Sequence, residues 1–198
     1  MELVLASNNP GKAEELSRLL ADTGIDVMPQ SRFRVPEAEE TGQTFVENAL
    51  IKARNATACS GRPALADDSG LCVDALDGAP GVRSARYAGP EADDAANRRL
   101  LLEQLAGQER RTARFVCVVV WIRHAYDPLP LIAQGEWRGR IGEEERGSGG
   151  FGYDPLFLPE EDPTRTAAEL APEDKDRLSH RGRALQALQQ RLPELLAG

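Results

Sequence analysis

The stretch Leu65-Ala66-Asp67-Asp68-Ser69-Gly70-Leu71 sets two adjacent carboxylates and a hydroxyl directly after a short apolar run. An ionised carboxylate can accept a proton from water or hold a hard cation, which are the two needs of metal-assisted hydrolysis. The run Ala64 to Ala66 reads as a buried strand, and Gly70 can turn the chain at little steric cost. Side chains alternate across a regular strand, so Asp67 and Asp68 cannot both enter one pocket. One is expected to serve chemistry and the other the backbone of the turn. The same residue types also build an Asx turn at a strand end, and these seven residues alone do not separate the two readings.

The choice of cations is a second signal. Of 24 Lys and Arg residues, three are lysines: Lys12, Lys52 and Lys175. A chain that otherwise uses Arg keeps Lys where a compact point charge is wanted. Lys12 closes Ser7-Asn8-Asn9-Pro10-Gly11-Lys12, which follows a strand read at Glu2 to Ala6. Asn9 can cap a helix there, with Pro10 at its first position and Gly24 closing it. A strand, tight turn and helix start present backbone N–H groups and a positive dipole end to an anion. That dipole gives a cation no help, so a bound phosphate would account for Lys12. The glycine spacing of a Walker A loop is absent.

Lys52 falls on a helix predicted from the capping box Thr44-Phe45-Val46-Glu47 to about Ala58, with Val46, Ala49, Leu50 and Ala53 on its buried face. Asn48, Lys52 and Asn55 recur at i, i+4 and i+7, a polar stripe on another face that suits a phosphate site or open solvent. Before it, Glu37, Glu39 and Glu40 stand in a polar loop from Ser31 to Thr41. Cations and amides (Ser7, Asn9, Lys12, Lys52) suit a polyphosphate, and carboxylates (Glu40, Asp68) suit Mg²⁺, which binds through one or two carboxylates plus substrate phosphates. No His/Cys set points to zinc.

The remaining elements must hold these groups. Ile25 to Met28 reads as a second strand, and Glu91 to Leu105 as a helix. Arg114–Arg123 and Leu129–Arg138 read as long strands joined by a hairpin at Ala125-Tyr126-Asp127-Pro128, with Phe115 and Trp121 in the core and His124 on the surface. Gly147 to Pro155 is dense in glycine and carries Phe151 and Tyr153, so it can approach a ligand closely and stack a ring on a flat base. Ser179 is a good N-cap for a last helix with Leu185, Leu188, Leu192 and Leu195, which Pro193 should kink or shorten. His180 and Arg181 then sit at a helix start and, with Lys175, form donors suited to heterocycle carbonyls.

At 198 residues the chain is long enough for one large domain or two packed lobes. Its net charge of −8 argues against a broad basic face for a nucleic-acid polymer. Three separated cysteines with no CxxC pair point to a reduced, cytoplasmic setting. The longest apolar run, Phe115 to Ile122, is too short to span a membrane, and the N-terminus lacks the pattern of a signal peptide.

In order along essentially the whole chain, the sequence resembles the inosine triphosphate pyrophosphatases, also called XTP/dITP diphosphatases. The matching motifs are Ser7-Asn8-Asn9-Pro10-Gly11-Lys12, Glu39-Glu40-Thr41-Gly42, Glu47-Asn48-Ala49 with Lys52-Ala53, and Asp67-Asp68-Ser69-Gly70-Leu71. They continue through Gly78-Ala79-Pro80-Gly81, Ser84-Ala85-Arg86-Tyr87, Phe151-Gly152-Tyr153-Asp154-Pro155 and Ser179-His180-Arg181. The resemblance implies a single α/β domain over residues 1–198: an elongated mixed sheet flanked by helices, in two lobes around a central cleft, usually a homodimer. It implies Mg²⁺-dependent hydrolysis of ITP, dITP and XTP to the monophosphate and pyrophosphate, which removes deaminated purine nucleotides from the pool. Asp68 would be general base and metal-associated, and Glu40 a metal ligand. Ser7, Asn9, Lys12, Lys52 and Ser69 would contact substrate, and Phe151, Gly152, Tyr153, Asp154, Lys175, His180 and Arg181 would recognise the base. Arg83 stands where the family often has an aromatic residue, and Asp174 and Asp176 replace a more usual Glu and Asn. Two other readings stay open on the residues: a nucleotide sensor without hydrolysis, and a hydrolase preferring dTTP or UTP.

Overall fold

The computed structural model describes residues 2–7, 14, 16–18, 24–90 and 93–196, with side chains followed to residue 191. The strands are β1 (Glu2–Leu5), β2 (Asp26–Pro29), β3 (Ala64–Val73), β4 (Thr112–Ile122), β5 (Leu131–Ile141) and β6 (Phe157–Pro159). The helices used below are α1 (Phe45–Ser60), α2 (Asp94–Gln104), α3 (Pro172–Leu178) and α4 (His180–Leu196). The strands form one six-stranded sheet in the order β2-β1-β3-β4-β5-β6. β1 runs parallel to β2 and β3, with Val4 opposite both Met28 and Ala64, while β6 is antiparallel to β5, with Arg140 opposite Leu158. The sheet is therefore mixed and flanked by helices, the α/β class expected. Among the described residues no helix is long and apolar enough to cross a membrane.

Contacts divide the chain into two compact units. One holds Met1–Asp68, Cys117–Gly135 and His180–Gly198; the other holds Ser69–Val116 and Glu136–Ser179. Each has its own core. In the first, Leu3 and Leu5 of β1, Leu65 of β3 and the alternating Cys117, Val119 and Trp121 of β4 pack with Leu185 and Leu188 of α4. Period-two spacing on the strands and near-3.6 spacing on the helix bring these residues to a common layer. In the second, Leu71, Leu101, Phe115, Trp137, Tyr153 and Phe157 are central. The Phe157 ring lies 4.6 Å from Phe115 and 5.2 Å from Trp137, in the tilted geometry aromatic pairs favour.

Four expectations change. β3 does not stop at Ala66 but continues through Asp67-Asp68-Ser69-Gly70 to Val73, so the paired carboxylates stand in mid-strand and no Asx turn forms there. β5 begins at Leu131 rather than Leu129, because Pro128 and Pro130 each lack the N–H a ladder needs. α3, with Pro172 in its first turn, forms a helix not predicted. α4 runs on through Pro193 to Leu196. The helix expected around Lys12 lies largely outside the described residues, as do the side chains of Leu192 and Leu195.

Candidate active site

α1 opens with the expected capping box: Thr44 Oγ1 accepts from the Glu47 amide, and Glu47 Oε2 accepts from the Thr44 amide at 2.9 Å. Gly61, in the left-handed region, ends it. The polar stripe on this helix is engaged, not solvated. Asn48 is buried, its Nδ2 donating to Asp68 Oδ2 (3.3 Å) and its Oδ1 accepting from the Gly42 amide (2.8 Å). Lys52 Nζ donates to Asp68 Oδ1 at 3.1 Å and meets Glu40 Oε1 at 2.9 Å. Asn55 Nδ2 donates to the Pro36 carbonyl at 2.7 Å. Three positions one turn apart thus fasten the acidic loop and β3 to one helix. On the face expected to be buried, Val46 and Leu50 are half-buried, while Ala49 and Ala53, with Ala56, are fully buried.

Gly42 shows why the loop can come so near. A Cβ there would lie 2.6 Å from Glu47 Cβ and 2.7 Å from Asn48 Oδ1, so no side chain fits. With Gly42 pressed on the first turn of α1, Glu40 is carried to Lys52. Burial pushes the Lys52 ammonium towards neutrality, but Asp68, Asp67 and Glu40 together outweigh it and hold its pKa above the ordinary lysine value. Lys52 is therefore a charged bridge between two carboxylates drawn from different elements.

The alternation expected of Asp67 and Asp68 is observed. Asp68 is bound by α1, whereas Asp67 Oδ2 lies 3.8 Å from Arg181 Nε at the start of α4. His180 and Arg181, both buried, are the first two residues of that helix, as expected. Gly135 of β5 makes room: a Cβ there would collide with the His180 carbonyl and the Ala184 amide, so the first turn of α4 seats directly on the strand. Ser7 is half-buried just beyond β1, next to Ala6, whose amide donates to the Leu65 carbonyl (2.8 Å). Asn9 and Lys12 lie outside the described residues. Ser69 is half-buried within β3.

The other unit gathers Phe151, Gly152, Tyr153, Asp154 and Lys175. Asp154 is buried, and its Oδ2 accepts from the Phe151 amide (2.9 Å) and from Lys175 Nζ (2.8 Å). The same ammonium lies 5.1 Å from the centre of the Phe151 ring, within cation–π range. Gly150 has φ +71, and a Cβ on it would overlap Asp154 Oδ2, so the loop folds onto its own carboxylate only with glycine there. Tyr153 corrects the sequence reading. It is buried in the core, its hydroxyl donates to the Ser84 carbonyl (2.8 Å), and burial pushes its phenol well above the usual range. Phe151 alone of the two keeps a half-buried ring.

Asn48 as an orienting group and the Asp67–Arg181 contact were not assigned from sequence. For Asn48 the signal existed in its helical spacing to Lys52; for the ion pair no local pattern could reveal partners on separate elements.

Among the described residues no group of three or more His, Cys, Asp or Glu side chains forms a metal cage. Glu40 and Asp68 nevertheless approach one ammonium from two sides, a pair of hard oxygen donors held close together. That pair fits Mg²⁺, which takes few protein carboxylates and completes its shell with water and phosphate oxygens.

The sequence profile of the Ham1 family matches residues 3–191. The chain belongs to the Ham1 family. A dITP/XTP pyrophosphatase of Thioalkalivibrio sulfidiphilus is 60% identical over 195 residues, covering 97% of this chain and 98% of that protein. The structure of a HAM1 protein from Coxiella burnetii superposes with a TM-score of 0.91 at 51% identity, over 98% of this chain and 99% of that one. A nucleoside-triphosphatase / dITP/XTP pyrophosphatase from Mycobacterium abscessus gives 0.75 at 48% identity, over 95% and 98%. As a Ham1 protein, the chain shares its mixed-sheet fold over nearly its full length.

Proposed function

We propose that this Ham1 protein is a nucleoside triphosphate pyrophosphohydrolase that converts dITP, XTP and ITP to the monophosphate and pyrophosphate with Mg²⁺. The observation that carries the reading is the Lys52 ammonium seated between Glu40 and Asp68. Close relatives named dITP/XTP pyrophosphatases support the substrate class. Glu40 and Asp68 would hold the Mg²⁺, which supplies charge neutralisation on the phosphates and a more acidic water. Asp68 is placed to take a proton from the attacking water, whose oxygen bonds to the α-phosphorus as the bond to the α–β bridging oxygen breaks and pyrophosphate leaves. Asn48 and Lys52 hold opposite oxygens of the Asp68 carboxylate, so its orientation is set before substrate arrives. Lys52, with Ser7, Asn9, Lys12 and Ser69, contacts the phosphates and offsets charge on the leaving group.

Phe151 stacks on the base, with Lys175, His180 and Arg181 as donors and Gly152 and Asp154 shaping the loop. A 6-oxopurine offers an acceptor at O6 where adenine offers an amine, and a donor-lined site penalises adenine by leaving its donors unmatched. The protein acts in the cytoplasm as a homodimer. A panel of dITP, XTP, ITP, dATP, dGTP, dTTP and UTP with Mg²⁺, read by pyrophosphate release, tests this. The expected result is preference for the first three and a loss of about 10³-fold or more in Asp68→Asn. Preference for a pyrimidine triphosphate, or an Asp68→Asn variant of full activity, overturns it.

A further inference from the structure

We infer that Asp94, Arg98 and Glu145 form a clamp that sets the position of Phe151 by gripping the backbone on both sides of Gly152. The inference rests on the reading of Phe151 as the base-stacking ring. Asp94 and Arg98 are one turn apart on α2 and so project from one face. Asp94 Oδ2 accepts from the Gly152 amide at 2.7 Å, which fixes the peptide joining Phe151 to Gly152. Arg98 Nη1 donates to the Gly152 carbonyl at 2.8 Å, which fixes the next peptide. Arg98 also forms an ion pair with Glu145, Nε lying 3.0 Å from Oε2 outside hydrogen-bond geometry, so charge attraction steadies the guanidinium.

Asp94 is not needed to start its helix. Asp93 already caps it, its Oδ1 accepting from the Ala95 amide at 2.9 Å. Gly152 has φ +61, a conformation other residues rarely adopt, and both its polar groups are taken by charged side chains. Phe151 is thereby held at three points: its amide on Asp154, its ring against Lys175, and the peptide that follows it on Asp94. The guanidinium donates to Gly152 through Nη1 while its charge faces Glu145, a planar, delocalised arrangement that a lysine ammonium does not reproduce. These are positioning residues, acting on substrate choice through the loop.

The test compares Arg98→Ala, Arg98→Lys, Asp94→Ala and Asp94→Asn in the full-length protein, with thermal melting to confirm folding. In Arg98→Ala and Asp94→Ala, KM for dITP is expected to rise about tenfold with kcat within about threefold, and the ratio of kcat/KM for dITP over dATP to fall. Asp94→Asn keeps a carbonyl acceptor and should recover part of that ratio, which a general loss of stability would not do. Hydrogen exchange at Gly152 should quicken in both alanine variants. Unchanged KM, ratio and exchange in folded variants overturn the clamp. Should the wild-type protein show no preference for dITP over dATP, the functional reading fails by itself, and exchange at Gly152 still decides the clamp: faster in the variants upholds it, unchanged overturns it.

Discussion

Lys52→Met tests the charge bridge directly, because methionine keeps much of the side-chain volume and removes only the ammonium. Lys52 Nζ is 2.9 Å from Glu40 Oε1 and 3.1 Å from Asp68 Oδ1, so its loss removes the ammonium that the two carboxylates share. Breaking a fully buried pair costs about 3–5 kcal/mol. Here the side chains of Lys52 and Glu40 retain 17% and 22% of their exposure, and solvent screening lowers that to about 1–3 kcal/mol. For a chain of this length each kcal/mol moves the melting temperature by about 2–4 °C. The assay is thermal unfolding of both proteins in EDTA and in millimolar Mg²⁺. In EDTA the variant should melt lower; Mg²⁺ should raise the variant more than the wild type, because the freed carboxylates regain a cation. Pyrophosphate release from dITP should fall about 100-fold in the variant even with Mg²⁺. Equal melting temperatures in EDTA, or an identical Mg²⁺ increment in the two proteins, would refute the bridge.

Two further substitutions probe the supports. Gly42→Ala puts a methyl 2.6 Å from Glu47 Cβ and forces the loop off α1, so Glu40 should withdraw and the Mg²⁺ concentration for half-maximal rate should rise; a Mg²⁺ titration matching wild type would count against this. Asp127 is buried at the β4–β5 connection and accepts from the Arg123 guanidinium (2.9 and 2.7 Å), the Arg123 amide (3.0 Å) and the Leu129 amide (3.0 Å). The Arg123 side-chain bonds hold its carboxyl far below the usual carboxylate range. A lowered folded-state pKa gives stability that is fully present above pH about 4 and is lost as pH falls further. Asp127→Asn should therefore cost about 1–2 kcal/mol at pH 7 by denaturant unfolding, with the gap narrowing in acid. A gap that stays constant to pH 3 would place the effect elsewhere.

How much could be read from sequence depended on how local the determinant was. The capping box at Thr44 and Glu47 is complete within four residues, and the helix starts where it predicts. Alternation along β3 told that Asp67 and Asp68 part company, because pleating is a property of the strand itself. Their partners were another matter, since Asn48, Lys52 and Arg181 arrive on α1 and α4 through tertiary packing. Tyr153 and Phe151 illustrate the same limit. Two aromatics in a glycine-rich loop are equivalent on paper, and only the Ser84 carbonyl, supplied by a turn far away in sequence, makes Tyr153 the core member. The run from Asp67 to Gly70 looked like a turn because Asp, Ser and Gly favour turns; pairing with neighbouring strands overrode that preference.

The scarcity of lysine carries the most functional weight. Both lysines within the described residues are matched to acids, Lys52 to Glu40 and Asp68, and Lys175 to Asp154. Beside the Phe151 ring the Lys175–Asp154 ion pair suits the recognition of an uncharged base. At Lys52 one ammonium meets both Glu40 and Asp68, and Asp67 acts on it as well. Under the proposed reading, a divalent cation on those carboxylates would add positive charge where the polyanion must bind. Metal and substrate are then expected to bind as partners: triphosphate affinity should be weak in EDTA and should strengthen with Mg²⁺, and neutralising Glu40 as Glu40→Gln should lessen that dependence.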